Sequence, residues 1–246
     1  MDEKILKLHE ILKNSRNICV FTGAGISCPS GIPDFRSADG LYNQKSGLNI
    51  PPEEIISHSF FTAHTDLFYD FYKSKMLYPD ALPNEAHRFF ADLEREGKTV
   101  SVVTQNIDGL HTAAGNSRVY EIHGSVLRNH CMHCGAFYGV DTIAQSDGVP
   151  HCQKCGGVIK PDVVLYEEPL DEKTVRGAVN AISVADTMVI IGTSLVVYPA
   201  ASYVRYFGGD NLVILNKTAT DYDRAADLTI YDDIVHIVKQ VKAICP

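Results

Sequence analysis

The chain has 246 residues, 45% of them hydrophobic and 21% charged, with a formal net charge of −8. That length and balance suit one large globular domain with room for a small insert. The acidity argues against nonspecific nucleic-acid binding, which needs a basic surface to release counterions; it suits solubility, or a basic partner such as a lysine-bearing peptide.

Met1 is followed by Asp2 and Glu3, the reverse of a basic signal-peptide start. No apolar run approaches the roughly 18 residues of a membrane span, so no membrane association is expected. Ile5, Leu8, Ile11 and Leu12 sit at helical spacing and predict a helix over 4–13, ahead of an apolar strand at 18–21. That strand runs into FTGAGISCPSGIPDFR, Phe21 to Arg36. The loop is not the dinucleotide fingerprint G-x-G-x-x-G, because Cys28 stands where the third glycine belongs. Gly23 and Gly25 let the backbone approach a phosphate, and a helix start near Ile26 would offer free N–H groups. No second strand ending in an acid follows about 20 residues on, so hydride transfer is not expected. Arg36 would neutralise a pyrophosphate and Phe35 would shield a reacting centre; the alternative is a surface loop closed by an Asp34–Arg36 pair.

Residues 34–82 are polar and aromatic and read as helices and loops outside the main alternation. Asn84 precedes a helix carrying Ala86, Phe89, Phe90 and Leu93, stopped at Gly97. Apolar, β-rich runs follow at 100–103, 119–122, 163–165, 188–191 and 212–215. Asp171 starts a helix with Val175, Ala178, Val179 and Ile182, and a last helix covers about 234–244. Nearly apolar strands alternating with amphipathic helices predict an α/β fold, a Rossmann-like parallel sheet covered by helices on both faces. The large lobe is expected over about 1–34, 83–124 and 161–246. A smaller lobe would come from two insertions, a helical one over about 35–82 and a zinc-ribbon module over about 125–160. The site belongs in the cleft beyond the strands' carboxyl ends.

Cys131-x-x-Cys134, then seventeen residues, then Cys152-x-x-Cys155 fit a zinc pattern, each pair followed by a glycine that permits the tight turn. Four thiolates leave no vacancy for water, so one structural zinc ion is expected. His130, His133 and His151 lie nearby, and one of them could replace a cysteine. Free buried cysteines, the plainer reading, would not explain two pairs of equal spacing. The total of seven cysteines is odd and three are scattered (Cys19, Cys28 and Cys245), so a disulfide framework is a poor explanation and a cytoplasmic location is expected.

Polar clusters follow the predicted strands. TQNIDGLH, Thr104 to His111, comes after 100–103 and reads either as ligand contacts or as a capped turn. EIHG places His123 after 119–122, where one histidine among ten is as readily structural. GTSLVVYPA, Gly192 to Ala200, follows 188–191, and Asn216 follows 212–215. Their convergence on one crevice carries more than any one of them.

Together GAGIS, SGIPDFR, TQNID and the HG of His123-Gly124 resemble the sirtuins, the NAD-dependent protein-lysine deacylases, over nearly the whole chain. The resemblance implies NAD as cofactor, with Gly23, Ala24, Gly25, Cys28, Phe35 and Arg36 lining its site. It further places Gln105, Asn106, Ile107 and Asp108 toward the ribose and nicotinamide, and Gly192, Thr193, Ser194, Asn216 and Asp233 toward the adenosine half. His123 is the implied general base, with Asn106 beside it. An acetyl-lysine peptide or protein would pair with Val164 and with the segment ending at Val197, giving free lysine, nicotinamide and O-acetyl-ADP-ribose. Succinyl or malonyl lysine and mono-ADP-ribosyl transfer are the alternative activities, and a noncatalytic NAD-sensing or zinc-mediated binding module is the alternative of another class. Members that take acidic acyl groups carry Tyr-x-x-Arg where this chain has Tyr72 and Lys75, so neutral acyl groups are expected. The chain departs from the family at Tyr166-Glu167-Glu168, where Phe-Gly-Glu is usual.

Overall fold

The computed structural model describes residues 2–37, 40–43 and 50–244. Cys245 therefore lies outside the described residues, as do parts of the 34–82 insertion.

Six strands form one parallel sheet: β1 (Asn17–Thr22), β2 (Thr99–Thr104), β3 (Val119–Glu121), and, after three strands of a second sheet, β7 (Thr187–Ile191), β8 (Asn211–Asn216) and β9 (Leu228–Tyr231). Their order is β3-β2-β1-β7-β8-β9, the doubly wound arrangement in which the chain reverses its direction of travel across the sheet between β1 and β7. Alternate residues serve opposite faces, as the pleat requires. Ile18 and Val20 of β1 pack under α1 (Glu3–Asn14), α5 (Glu85–Arg95) and α9 (Ile234–Lys242). Cys19 and Phe21 pack under α8 (Glu172–Ser183) and the 3₁₀ segment Ala200–Tyr206. The four helices covering the parallel sheet, α1, α5, α8 and α9, each begin at a side chain that takes up a free N–H: Asp2, Asn84, Asp171 and Asp233 are the N-caps.

The second sheet is antiparallel, ordered β5-β4-β6, from β4 (Gly124–Cys131), β5 (Phe137–Tyr138) and β6 (Ile159–Val163). It shares a core with α2 (Pro52–Ile55), α3 (His58–Ala63), α4 (Thr65–Lys75) and α7 (Val140–Ala144); Phe61, Phe68, Tyr69 and Tyr72 pack there against Ile159 and Ile143. The short α6 (Leu110–Ala114) follows β2.

Three expectations are corrected. The apolar run at 163–165 is not a strand of the parallel sheet: Val163 ends β6, antiparallel to β4. Val163 and Leu165 are apolar because they face the second core, and apolarity does not encode pairing direction. β9 is an unforeseen sixth strand, since Leu228–Tyr231 is too short for its alternation to stand out. No α-helix begins near Ile26; two 3₁₀ turns, Ala24–Ile26 and Cys28–Ser30, end at Gly31 with φ +88°.

Candidate active site

A cavity of about 820 Å³ opens at the carboxyl ends of β1, β2, β7 and β8 and runs to the second sheet. Its walls include Gly23, Ala24, Gly25, Cys28, Phe35, Arg36, Gln105, Asn106, Ile107, His123, Val164, Gly192, Thr193, Ser194, Val197 and Asn216, residues drawn from every polar cluster of the sequence. Two expected residues are not among its walls. Asp233 instead caps α9 through Val235 N–H and pairs with Lys217 at 3.0 Å, while its neighbours Asp232 and Ile234 line the cavity. Asp108 stands behind the wall, accepting from Ser27 Oγ at 2.7 Å and Leu110 N at 2.9 Å, and burial pushes its pKa up.

The glycines of the first loop answer a packing need. A Cβ on Gly25 would lie 2.6 Å from Gly192 Cα, and one on Gly23 would lie 2.7 Å from Thr193 Cβ. Gly25 N–H donates to the Gly192 carbonyl at 2.8 Å, and Gly192 itself holds φ +59°. Backbone thus meets backbone at the switch between β1 and β7, and both loops line the cavity. Asp34 shapes the next turn by accepting Arg36 N and Ser37 N, while the Arg36 guanidinium lies 5.4 Å over the Tyr42 ring. Phe35 meets the same ring edge-on at 5.5 Å.

Gln105, Thr193 and Asn216 interlock three strand ends: Gln105 Nε2 donates to Thr193 Oγ1 at 3.1 Å, and Asn216 Nδ2 to the Thr193 carbonyl at 3.1 Å. Asn106 donates to Ser27 Oγ at 3.1 Å, and its backbone N–H reaches Thr104 Oγ1 at 3.0 Å. Ser27, Thr104 and Thr22, all buried, were missed by sequence reasoning because isolated hydroxyls carry no spacing signal.

His123 Nδ1 lies 3.0 Å from the Gln105 carbonyl. A carbonyl only accepts, so Nδ1 carries the proton and Nε2 keeps its lone pair. Burial lowers the His123 pKa, partly offset by that hydrogen bond, so the ring is neutral at pH 7. It can therefore take a proton at Nε2.

The four cysteines meet as expected: the sulfurs of Cys131, Cys134, Cys152 and Cys155 all lie within 4.8 Å of one another, with closest pairs of 3.5 and 3.6 Å. Zinc–sulfur bonds of about 2.3 Å in a tetrahedron put sulfurs about 3.8 Å apart, so the set fits one zinc ion. Gly135 and Gly156 hold φ +69° and +74°, the conformation inferred for the turns. His133 and Cys134 N–H groups point at Cys131 Sγ, and a Cβ on Gly157 would sit 3.0 Å from that sulfur. None of the three nearby histidines joins the cluster: His151 binds the Gly156 carbonyl and His130 meets Phe137 edge-on. Tyr138, unforeseen, donates its hydroxyl to Cys152 Sγ at 3.1 Å.

The Sir2 family model matches residues 23–199. The "NAD-dependent protein deacetylase" of Clostridium perfringens (strain 13 / Type A) is 57% identical over 242 residues, 98% of this chain and 99% of its own. Two solved structures superimpose on nearly the whole fold. A Sir2 complex with p53 peptide and NAD+ has TM-score 0.85, 40% identity and coverage of 99% of this chain and 98% of that one. A Sir2 variant with deacetylated p53 peptide and 3'-O-acetyl ADP-ribose has TM-score 0.89, 38% identity and coverage of 98% of both. With the doubly wound sheet, the four-cysteine cluster and His123 at the head of the cleft, the conclusion follows: this chain belongs to the Sir2 family.

Proposed function

We propose that the protein is an NAD-dependent protein-lysine deacetylase, moving the acetyl group of acetyl-lysine to ADP-ribose and releasing nicotinamide and O-acetyl-ADP-ribose. The observation that carries this reading is His123: a neutral imidazole, tautomer fixed by the Gln105 carbonyl, with Nε2 left as base in a cleft of cofactor size. NAD, when bound, supplies the labile nicotinamide bond and the ribose hydroxyl that receives the acetyl group.

The chain's own residues divide the remaining work. The Gly23–Gly25 turn, whose Gly23 and Gly25 N–H groups are held by the Ile191 and Gly192 carbonyls, brings bare backbone up to the pyrophosphate, and the Arg36 guanidinium offsets its charge. Phe35 and Ile107 keep water from the reacting carbon. His123 Nε2 takes the proton of the ribose hydroxyl. Val164 gives its N–H to the His123 carbonyl and Val197 gives its carbonyl to Ala201 N–H, which leaves the Val164 carbonyl and the Val197 N–H for an incoming peptide strand. Asp108 acts through Ser27 and Asn106, and Asp233 through Lys217, rather than from the wall. The zinc cluster would be closed and structural, and none of the six described cysteines is in a disulfide, which supports a cytoplasmic location.

Neutral acyl groups suit the site. Tyr72 is fully buried and stacked on Phe68, and neither it nor Lys75 lines the cavity. Incubation with NAD and an acetylated peptide, read by mass spectrometry, tests the reaction: loss of acetyl with stoichiometric nicotinamide supports it, and ADP-ribose gained by the peptide overturns it. A kcat/KM for succinyl peptide above that for acetyl peptide would overturn the acyl assignment alone.

A further inference from the structure

β4 is interrupted. Ser125 is in register with Asp162 and Asn129 with Pro161, so Val126, Leu127 and Arg128 are extra residues on one strand only. Bulges of this kind re-aim side chains beside sites. Val126 N–H here donates to the Ile107 carbonyl at 2.9 Å, tying the bulge to the TQNID loop. Leu127 covers Gly109, where a Cβ would lie 2.5 Å from Leu127 Cδ1.

Arg128 reaches in two directions. Its Nη1 donates to Glu121 Oε2 at 2.6 Å and its Nε to Asp162 Oδ2 at 2.7 Å. Glu121 ends β3 two residues before His123, and Asp162 lies two residues before Val164. His123 and Val164 are themselves joined, carbonyl to N–H, at 3.0 Å. A ring closes through Glu121, His123, Val164, Asp162 and Arg128. One planar guanidinium holds both carboxylates; a lysine, a point charge, would not satisfy both in this geometry.

We infer that Arg128 is a positioning residue, clamping the His123 turn of the parallel sheet to the peptide-pairing end of β6 so that base and substrate strand keep one relative geometry. The role assigned to Val164 rests on the proposed function; the clamp on His123 does not. Removing the arginine leaves Glu121, whose side chain is 13% exposed, without its counter-charge and facing a second carboxylate.

The test uses the full-length, zinc-loaded chain with Arg128→Met and Arg128→Lys. Long-range ¹H–¹⁵N correlation of the imidazole should show a single Nδ1–H tautomer of His123 in the unmodified protein and a mixture in Arg128→Met. Amide exchange at Val164 should accelerate. Peptide KM should rise about tenfold in Arg128→Met and less in Arg128→Lys, with NAD affinity within about twofold. Adding Glu121→Gln and Asp162→Asn to Arg128→Met should recover part of the loss, since the repelling charges are gone. A folded Arg128→Met with the original tautomer, Val164 exchange and peptide KM overturns the clamp, as does NAD affinity falling in step with peptide affinity. Should Arg128→Met not fold, Glu121→Gln and Asp162→Asn singly make the same test. An unmodified protein that turns over no acetyl peptide would overturn the functional reading, and the tautomer and exchange would still decide the clamp.

Discussion

His123 shows how a single contact assigns a role. Its Nδ1 proton is committed to the Gln105 carbonyl, so only Nε2 can act as base. His123→Ala is expected to lower turnover by about 10²–10⁴-fold with NAD binding retained, as measured by steady-state kinetics and calorimetry, because the imidazole acts after the cofactor is held. Near-normal turnover would remove the assignment. Glu167 makes a second case. It holds φ +75°, the left-handed region, at the position where the family has glycine. A side chain there costs roughly 1–2 kcal/mol, and here it returns two hydrogen bonds, from Ser59 N at 2.9 Å and Ser59 Oγ at 3.0 Å, at the start of α3. Glu167→Ala keeps the strain and loses both bonds, so a destabilisation of about 1–2 kcal/mol is expected. Glu167→Gly relieves the strain and should cost less. Urea melts giving Ala at or above Gly would contradict that account.

At the scale of elements, α5 and α6 enclose two buried histidines whose rings meet edge-on at 4.8 Å. His87 Nδ1 accepts Asn84 N–H in the capping box of α5, leaving a buried Nε2 proton without a partner. Burial first, and Arg88 second, push its pKa down from 6.5 to about 4. Burial also drives His111 well below its ordinary value. Such groups bind protons more readily in the unfolded chain, so acid favours unfolding. Stability is fully present above about pH 6.5 and falls as pH drops toward 4, by roughly 2 kcal/mol between pH 7 and 5 for His87 alone. His87→Gln, whose amide oxygen can still accept the Asn84 N–H, should flatten that slope in denaturant melts taken at several pH values. An unchanged slope would show that other groups carry the acid response.

For the whole molecule, the zinc cluster lies on the second sheet while His123 stands where the two sheets meet. Four thiolates leave the ion no open position, and its binding free energy supports the fold of its own module. Chelation should therefore loosen β4–β6 and α7, seen as faster amide exchange there, and lower activity only as that structure is lost. Activity that scales with the redox character of a substituted metal would refute a structural role.

What the sequence determined by itself was local. Periodicity placed α1, α5, α8, α9 and five of the six parallel strands, because short apolar runs, helical spacing and N-cap side chains act over a few residues. Cysteine spacing found the metal cluster, because two Cys-x-x-Cys turns can converge on one ion whatever surrounds them. The motifs shared with the family named residues that line the cavity from each strand end, but not Tyr42, Ile56, Met76 or Lys217, which line it too. Only the tertiary structure decided contacts between segments distant in the chain. It turned 163–165 into the end of an antiparallel strand, made Gly23 and Gly25 packing partners of Gly192, and moved Asp108 and Asp233 behind the wall into hydrogen bonds with Ser27 and Lys217. It also brought Glu121, Arg128 and Asp162 together through a three-residue bulge that no periodicity announces. Pairing direction, register and the second partner of a polar side chain depend on what the rest of the fold brings within about 3 Å, and no short window of sequence carries that distance.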